Sequence, residues 1–217
     1  MKYDLAIFDL DGTILDTLND LANAVNHALE AHGHPVRTLE EIRRFVGNGV
    51  ANLISRSVPE GTDASDCAAV LAGFKAYYRE HVNDATHPYP GIPELLGALR
   101  SAGVKVGVNS NKFDAALQNL CRIHFDGLYD LAAGECETTP KKPDPTAAKR
   151  MMAALGVKPE RTVYIGDSAV DLETAKNAGT DSAWVSWGFR RREEMQGCEA
   201  VNTFDSVSEL QSFLLEQ

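Results

Sequence analysis

Leu5-Ala6-Ile7-Phe8-Asp9-Leu10-Asp11-Gly12-Thr13 is the stretch that decides the fold. From Tyr3 to Leu10 the chain is nearly all apolar toward its end, which suits a strand buried on both faces in a parallel sheet. A strand of that kind running into two carboxylates presents charge at a sheet edge. Gly12 permits close backbone approach at that edge.

Moving outward, the same pattern recurs. Val104, Val106 and Val108 form a strand that runs into Asn109-Ser110, and Thr162 to Ile165 runs into Gly166-Asp167. Leu128 to Ala133 and Ala183 to Trp187 read as further strands. Helical spacing appears over Ile92 to Leu99, Phe113 to Leu120, Ala147 to Leu155 and Leu172 to Ala178. Ser206 and Glu209 have capping-box spacing for a last helix. Strand and helix therefore alternate over residues 1–16 and 88–217. That alternation predicts an α/β core, a Rossmann-like and mostly parallel sheet with helices on both faces.

Residues 17–87 break the alternation. Leu18, Leu21, Ala22, Val25, Ala28 and Leu29 recur at helical spacing, Thr38 and Glu41 form a capping box, and Gly47-Asn48-Gly49 interrupts. Ala51 to Val58 and Cys67 to His81 read as two more helices. This block predicts a small all-helical domain inserted after the first strand, on linkers near Asp16 and from Asp84 to Pro88.

At 217 residues with 44% apolar content the chain is long enough for a substantial core. Its formal charge of −10 disfavours nucleic acid as a partner. Four cysteines, at 67, 121, 136 and 198, have no CxxC spacing and read as free thiols. Asp9 interrupts the first apolar run, so the segment from Met1 is no signal peptide, and no stretch is long enough for a membrane span. The expected location is the cytoplasm, as a monomer or homodimer. Arg190-Arg191-Arg192 reads as a solvated basic loop that steers an anionic substrate.

In an open parallel sheet, ligands bind beyond the carboxyl ends of the strands. Asp9, Ser110 and Asp167 each follow the last apolar residues of a strand. Lys142 precedes a rigid Pro-Asp-Pro, and Asp171 lies one helical turn after Asp167. Ser168 fits an N-cap. Three acids, a lysine and a hydroxyl suit one phosphate ester and one hard, oxygen-seeking cation such as Mg²⁺. One carboxylate can take the phosphoryl group while a second protonates the leaving alkoxide and then deprotonates water.

Asp9-Leu10-Asp11-Gly12-Thr13, Ser110-Asn111, Lys142 and Gly166-Asp167-Ser168-Ala169-Val170-Asp171 resemble, in order and spacing, the four motifs of the haloacid dehalogenase-like hydrolases. The resemblance covers the whole chain, the helical cap included. It implies that Asp9 is the nucleophile and a Mg²⁺ ligand, and that Asp11 is the acid and base, its carbonyl also on the metal. Thr13 would support Asp11, with Gly12 and Thr13 in the substrate loop. Ser110 and the Asn111 N–H would hold phosphate oxygens, and Lys142 would pair with Asp9 and the phosphate. Asp167 would bind the metal directly, and Asp171 would bind it directly or through its waters.

The dehalogenases of this family lack the second aspartate, so Asp11 and Thr13 point to phosphate chemistry. Gly47, Asn48 and Gly49 resemble the cap loop of phosphoglycolate phosphatases, which implies 2-phosphoglycolate as substrate and this loop as a contact to it. Asn109 departs from the apolar residue usual before the serine. A β-phosphoglucomutase-like sugar-phosphate mutase, a pyrophosphatase or a nucleotidase would use the same core. A non-enzymatic sensor with a vestigial site predicts a lost core carboxylate, and none is lost.

Overall fold

The computed structural model describes residues 2–198 and 202–216; Met1, Glu199 to Val201 and Gln217 lie outside the described residues. Six strands form one parallel sheet: β1 (Leu5–Phe8), β4 (Lys105–Phe113), β5 (Leu131–Glu135), β6 (Thr162–Gly166), β7 (Asp181–Val185) and β8 (Asn202–Phe204). Their order is β5-β4-β1-β6-β7-β8, so β1 lies inside the sheet. It pairs with β4 through Leu5↔Lys105 to Phe8↔Val108 and with β6 through Leu5↔Thr162 to Phe8↔Ile165. All four β1 side chains are fully buried, as a strand covered on both faces requires.

Helices α5 (Ile92–Ser101), α6 (Asp114–Phe125), α7 (Thr146–Leu155), α8 (Ala169–Ala178) and α9 (Val207–Leu215) belong with this sheet. One face of β1, through Ala6 and Phe8, packs in a cluster with Leu95 and Leu99 of α5. The other, through Leu5 and Ile7, packs with Met151 and Met152 of α7 and Ala175 of α8. This is the expected doubly covered α/β core. No described helix is long and apolar enough to cross a membrane, and the four cysteines are free thiols.

The inserted block is all helical: α1 (Leu18–Ala31), α2 (Leu39–Phe45), α3 (Val50–Ser57) and α4 (Ala64–Glu80). The Thr38 capping box forms, with Glu41 N–H on Thr38 Oγ1 at 3.2 Å and Thr38 N–H on Glu41 Oε2 at 2.8 Å. Helix α4 begins before the expected Cys67, because the Asp63 carboxylate caps the Asp66 N–H at 2.9 Å.

Three further departures concern strands. The two linkers pair with each other as an antiparallel ribbon, β2 (Leu15–Asp16) with β3 (His87–Pro88). Two residues a side are too few to leave a periodic signal. Strand β4 runs to Phe113, where a helix was expected to have begun. Its pairing with β5 jumps from Asn109↔Ala133 to Phe113↔Glu135, so residues 110–112 bulge out of the ladder. Strand β8 carries only three residues on the sheet edge and was also not anticipated.

Asp20, in α1, ties the cap to the second linker. It is 1% exposed and accepts from Ala85 N–H, Thr86 N–H and Thr86 Oγ1 at 2.7 to 3.0 Å. Removing this carboxylate strands two backbone donors, whose cost with the lost charged bonds is about 3 kcal/mol. Asp20→Ala should therefore shift the urea midpoint well below that of wild type, while Asp84→Ala on the nearby surface leaves it close to wild type.

Candidate active site

The motif residues converge at the carboxyl end of the sheet, where β1, β4 and β6 lie side by side. Asp9 follows β1 directly, and its Oδ1 accepts from Leu10 N–H and from Lys142 Nζ, both at 2.7 Å. Among the described residues its Oδ2 has no protein donor, and Asp9 lines the cavity. Lys142 Nζ also meets Asp171 Oδ1 at 2.7 Å, so one ammonium joins two acids. The other Asp171 oxygen accepts from Ser168 Oγ at 2.6 Å and Ser168 N–H at 3.1 Å. Ser168 is thus the expected N-cap of α8, and Asp171 is wholly enclosed by protein partners.

Asp167 follows β6. Its Oδ2 accepts from Phe189 N–H at 2.6 Å, and its carbonyl accepts from the Trp184 indole at 2.7 Å. Gly12 lies against it with φ of +83°, and a Cβ there would stand 2.6 Å from Asp167 Oδ2. Only glycine combines that backbone with that space. Gly12 makes room for Asp167 and does not itself line the cavity.

Ser110, Asn111 and Lys112 occupy the β4 bulge and all line the cavity. The bulge takes their backbone out of the sheet ladder and turns it toward the strand ends. The Asn111 side chain also braces the next motif: its Oδ1 accepts from Lys142 N–H at 2.7 Å and its Nδ2 donates to the Lys142 carbonyl at 3.2 Å. Asn109 sits just before the bulge, 2% exposed, with no partner for its Nδ2 among the described residues.

The support of Asp11 differs from expectation. Thr13 is fully buried and its hydroxyl has no partner among the described residues; it neither touches the Asp11 carboxylate nor lines the cavity. Asp11 Oδ1 instead accepts from Thr17 Oγ1 at 2.7 Å and from Lys112 Nζ at 2.9 Å. Lys112 in turn donates to Tyr78 Oη on cap helix α4 at 2.7 Å. Sequence reading missed Lys112. Its signal was a lysine two residues beyond the strand-end serine, which reaches the cavity only because the bulge redirects it.

Charge at the site is crowded. Asp9, Asp167 and Asp171 each place a carboxylate oxygen within 4.8 Å of the others, all in buried residues. Burial raises Asp9 most; Lys142 pulls it down, but Asp171 and Asp167 add to the rise, leaving it at about 8. Burial followed by Asp171 likewise lifts Asp167 to about 7, against the Phe189 N–H. Burial opposes the charge on Lys142, yet Asp171 and Asp9 outweigh it and hold Lys142 well above the usual lysine range. Lys112 is raised in the same sense by Asp11 and Tyr78 against burial. One ammonium cannot neutralise three clustered carboxylates. The hard oxygen donors and the residual negative charge fit a divalent cation.

The cap closes the site. Gly47, Asn48 and Gly49 have φ of 111°, 60° and 85°, three successive left-handed residues that bend the loop over the cavity. Arg43 of α2 crosses to the core, donating to Glu194 at 2.8 and 2.9 Å and to the Phe189 carbonyl. The basic run is solvated at Arg191 and Arg192, as expected, but Arg190 turns inward to the cap. Arg190 donates to the cap carbonyls of Arg43, at 2.8 Å, and Val46, and Arg191 pairs with Glu40 at 3.0 Å. These contacts are invisible in sequence because they join residues about 150 positions apart.

Residues 6–185 match the model of the haloacid dehalogenase-like hydrolases. The phosphoglycolate phosphatase of Aquifex aeolicus is 33% identical over 184 residues, covering 84% of each chain. The N-acetylmuramic acid 6-phosphate phosphatase of Pseudomonas aeruginosa is 31% identical over 89% of this chain and 86% of its own. Among solved structures, a Lactobacillus delbrueckii subsp. bulgaricus protein assigned to the phosphoglycolate phosphatases superposes with a TM-score of 0.94 at 38% identity, covering 100% of both chains. A six-stranded parallel core, an inserted helical cap and a buried aspartate cluster at the strand ends place this chain among the haloacid dehalogenase-like hydrolases, as an enzyme of the phosphatase type.

Proposed function

We propose that the chain hydrolyses a small phosphomonoester through a phosphoryl group carried on Asp9, with Mg²⁺ as cofactor and 2-phosphoglycolate as the preferred substrate. One observation carries the reading: the two Asp9 oxygens are unequal. Oδ1 is held by Leu10 N–H and Lys142, and Oδ2 is left for the cavity. A carboxylate fixed by one oxygen offers the other as an oriented nucleophile.

In this reading Asp9 Oδ2 attacks phosphorus and the ester P–O bond breaks. Asp11, aimed by Thr17 and Lys112, gives its proton to the departing alkoxide. The resulting Asp11 carboxylate takes a proton from water as that water attacks the phosphorus of the aspartyl phosphate. Phosphate leaves and Asp9 is restored. Ser110 and the Asn111 N–H hold phosphate oxygens, with Lys142 at their side. Asp9, Asp167 and the Asp11 carbonyl would hold Mg²⁺, which neutralises carboxylate and phosphate charge when bound. Asp171, its oxygens engaged by Lys142 and Ser168, acts by fixing that lysine and would reach the metal only through water.

Size and lining support a small substrate. The cavity is small, about 70 Å³, and roofed by the cap, which favours a phosphate on a short acid over bulky leaving groups. The relatives include phosphoglycolate phosphatases and an N-acetylmuramic acid 6-phosphate phosphatase, named for a phosphorylated amino sugar acid. The β2–β3 ribbon is the natural division between a core of residues 1–16 and 88–217 and a cap of residues 17–87.

Two measurements test this. A panel of 2-phosphoglycolate, β-glucose 1-phosphate, pyrophosphate, a nucleoside monophosphate and N-acetylmuramic acid 6-phosphate should show the highest kcat/KM on 2-phosphoglycolate, with activity lost to chelator and restored by Mg²⁺. Turnover that survives chelation would rule out the metal-dependent mechanism, and a better substrate elsewhere in the panel would move the name.

The second concerns stability. Asp9 and Asp167 are raised in the folded state, to about 8 and about 7, so the metal-free protein binds more protons folded than unfolded above pH 4. Stability then falls as pH rises from about 4 to about 8. A bound cation removes the penalty, so Mg²⁺ should raise the thermal midpoint more at pH 8 than at pH 5. Equal gains at both pH values would mean that the metal does not bind these carboxylates.

A further inference from the structure

Three cationic side chains line the cavity: Lys112, Lys142 and Arg190. Two are already spent. Lys142 is divided between Asp9 and Asp171 at 2.7 Å each, and Lys112 is held by Asp11 at 2.9 Å. Arg190 differs. Arg43, Arg191 and Arg192 around it pair with Glu194, Glu40 and Asp205 at 2.7 to 3.0 Å. Among the described residues Arg190 has no carboxylate within ion-pair distance.

Its two protein bonds go instead to neutral acceptors, the carbonyls of Arg43 and Val46. They fix the guanidinium against the Gly47–Gly49 loop, where even a Cβ on Gly47 would stand only 3.2 Å from Nη2. A guanidinium has five N–H donors, so three remain, in a plane suited to bidentate capture of a carboxylate. The rest of the cap's lining offers no charge, being Leu21, Val46, Val50 and Leu53 beside the glycine loop. The Asp167 and Glu194 carboxylates lie near enough to feel its charge but do not pair with it. A positive group held at a cavity wall without a paired anion is arranged for a ligand that brings one.

We propose that Arg190 receives the second anionic group of the substrate, a carboxylate, and so selects phosphorylated short acids over neutral phosphate esters of the same size. This rests on the phosphomonoesterase reading and assigns specificity to a core loop that the cap only positions. The phosphoryl end then faces Lys142 and Asp9, and the carboxylate faces Arg190 under the glycine loop. A substrate with a neutral tail leaves the guanidinium desolvated and unpaired, which penalises it.

The test compares wild type, Arg190→Met and Arg190→Lys on 2-phosphoglycolate and on ethyl phosphate, with Mg²⁺ present and folding checked by circular dichroism. Wild type should favour the acid. Arg190→Met should lose about a hundredfold in kcat/KM on the acid, mainly through KM, and change less than about threefold on ethyl phosphate. Arg190→Lys keeps charge but loses the fork, and should fall about tenfold on the acid alone; it also carries the test if the methionine variant does not fold. Equal losses on both esters would make Arg190 a clasp between cap and core and overturn the assignment. Retained preference in both variants would overturn it too, while leaving the phosphatase reading intact. No hydrolysis of either ester by wild type would defeat that reading first.

Discussion

The ammonium of Lys142, shared at 2.7 Å between Asp9 and Asp171, is the contact on which the rest of the site depends. Burying a charge is expensive unless it is paired, and breaking such a pair costs more than forming it returns. Here the lysine fixes one oxygen of Asp9 and orients Asp171, which in turn caps α8 through Ser168. Asn111 clamps the backbone of Lys142 from β4. The ends of β1 and β4 and the start of α8 beyond β6 are thus joined through one residue. Asp167 stands outside that pairing, which leaves the excess negative charge a divalent cation would answer.

A second constraint runs across the cap. Asp11 is held by Thr17 at the start of the cap and by Lys112, which reaches Tyr78 on α4. The group read as acid and base is therefore oriented jointly by core and cap. With Arg43 also crossing the boundary to Glu194, closure of the cap and assembly of the site become one event. The proton donor is aligned when the cap excludes water, which limits wasteful reaction in the open state.

The core of this arrangement was legible in the sequence because its signals are local. An apolar run ending in a polar group is a strand end, and three such ends in a parallel sheet, at Asp9, Ser110 and Asp167, must face the same way. The Thr38 and Ser168 caps follow equally from short spacings. What escaped was long-range or too short to carry periodicity. Thr13 held a motif position yet turned away, while Thr17 and Lys112 took the Asp11 carboxylate. The two-residue ribbon between the linkers left no pattern. Arg190 read as a surface charge because its partners are backbone carbonyls, which no sequence displays as partners.

The most direct test of the account is to find where the phosphoryl group goes. Asp11→Asn removes the base that activates water, so the first step outruns the second and the phosphoryl intermediate accumulates. With Mg²⁺ and an aryl phosphate, whose leaving group needs little protonation, acid quench and peptide mass mapping should find the phosphoryl group on Asp9 in most of the protein. A phosphoryl group on another residue, or none on a variant that still releases the aryl alcohol in a first-turnover burst, would contradict the account.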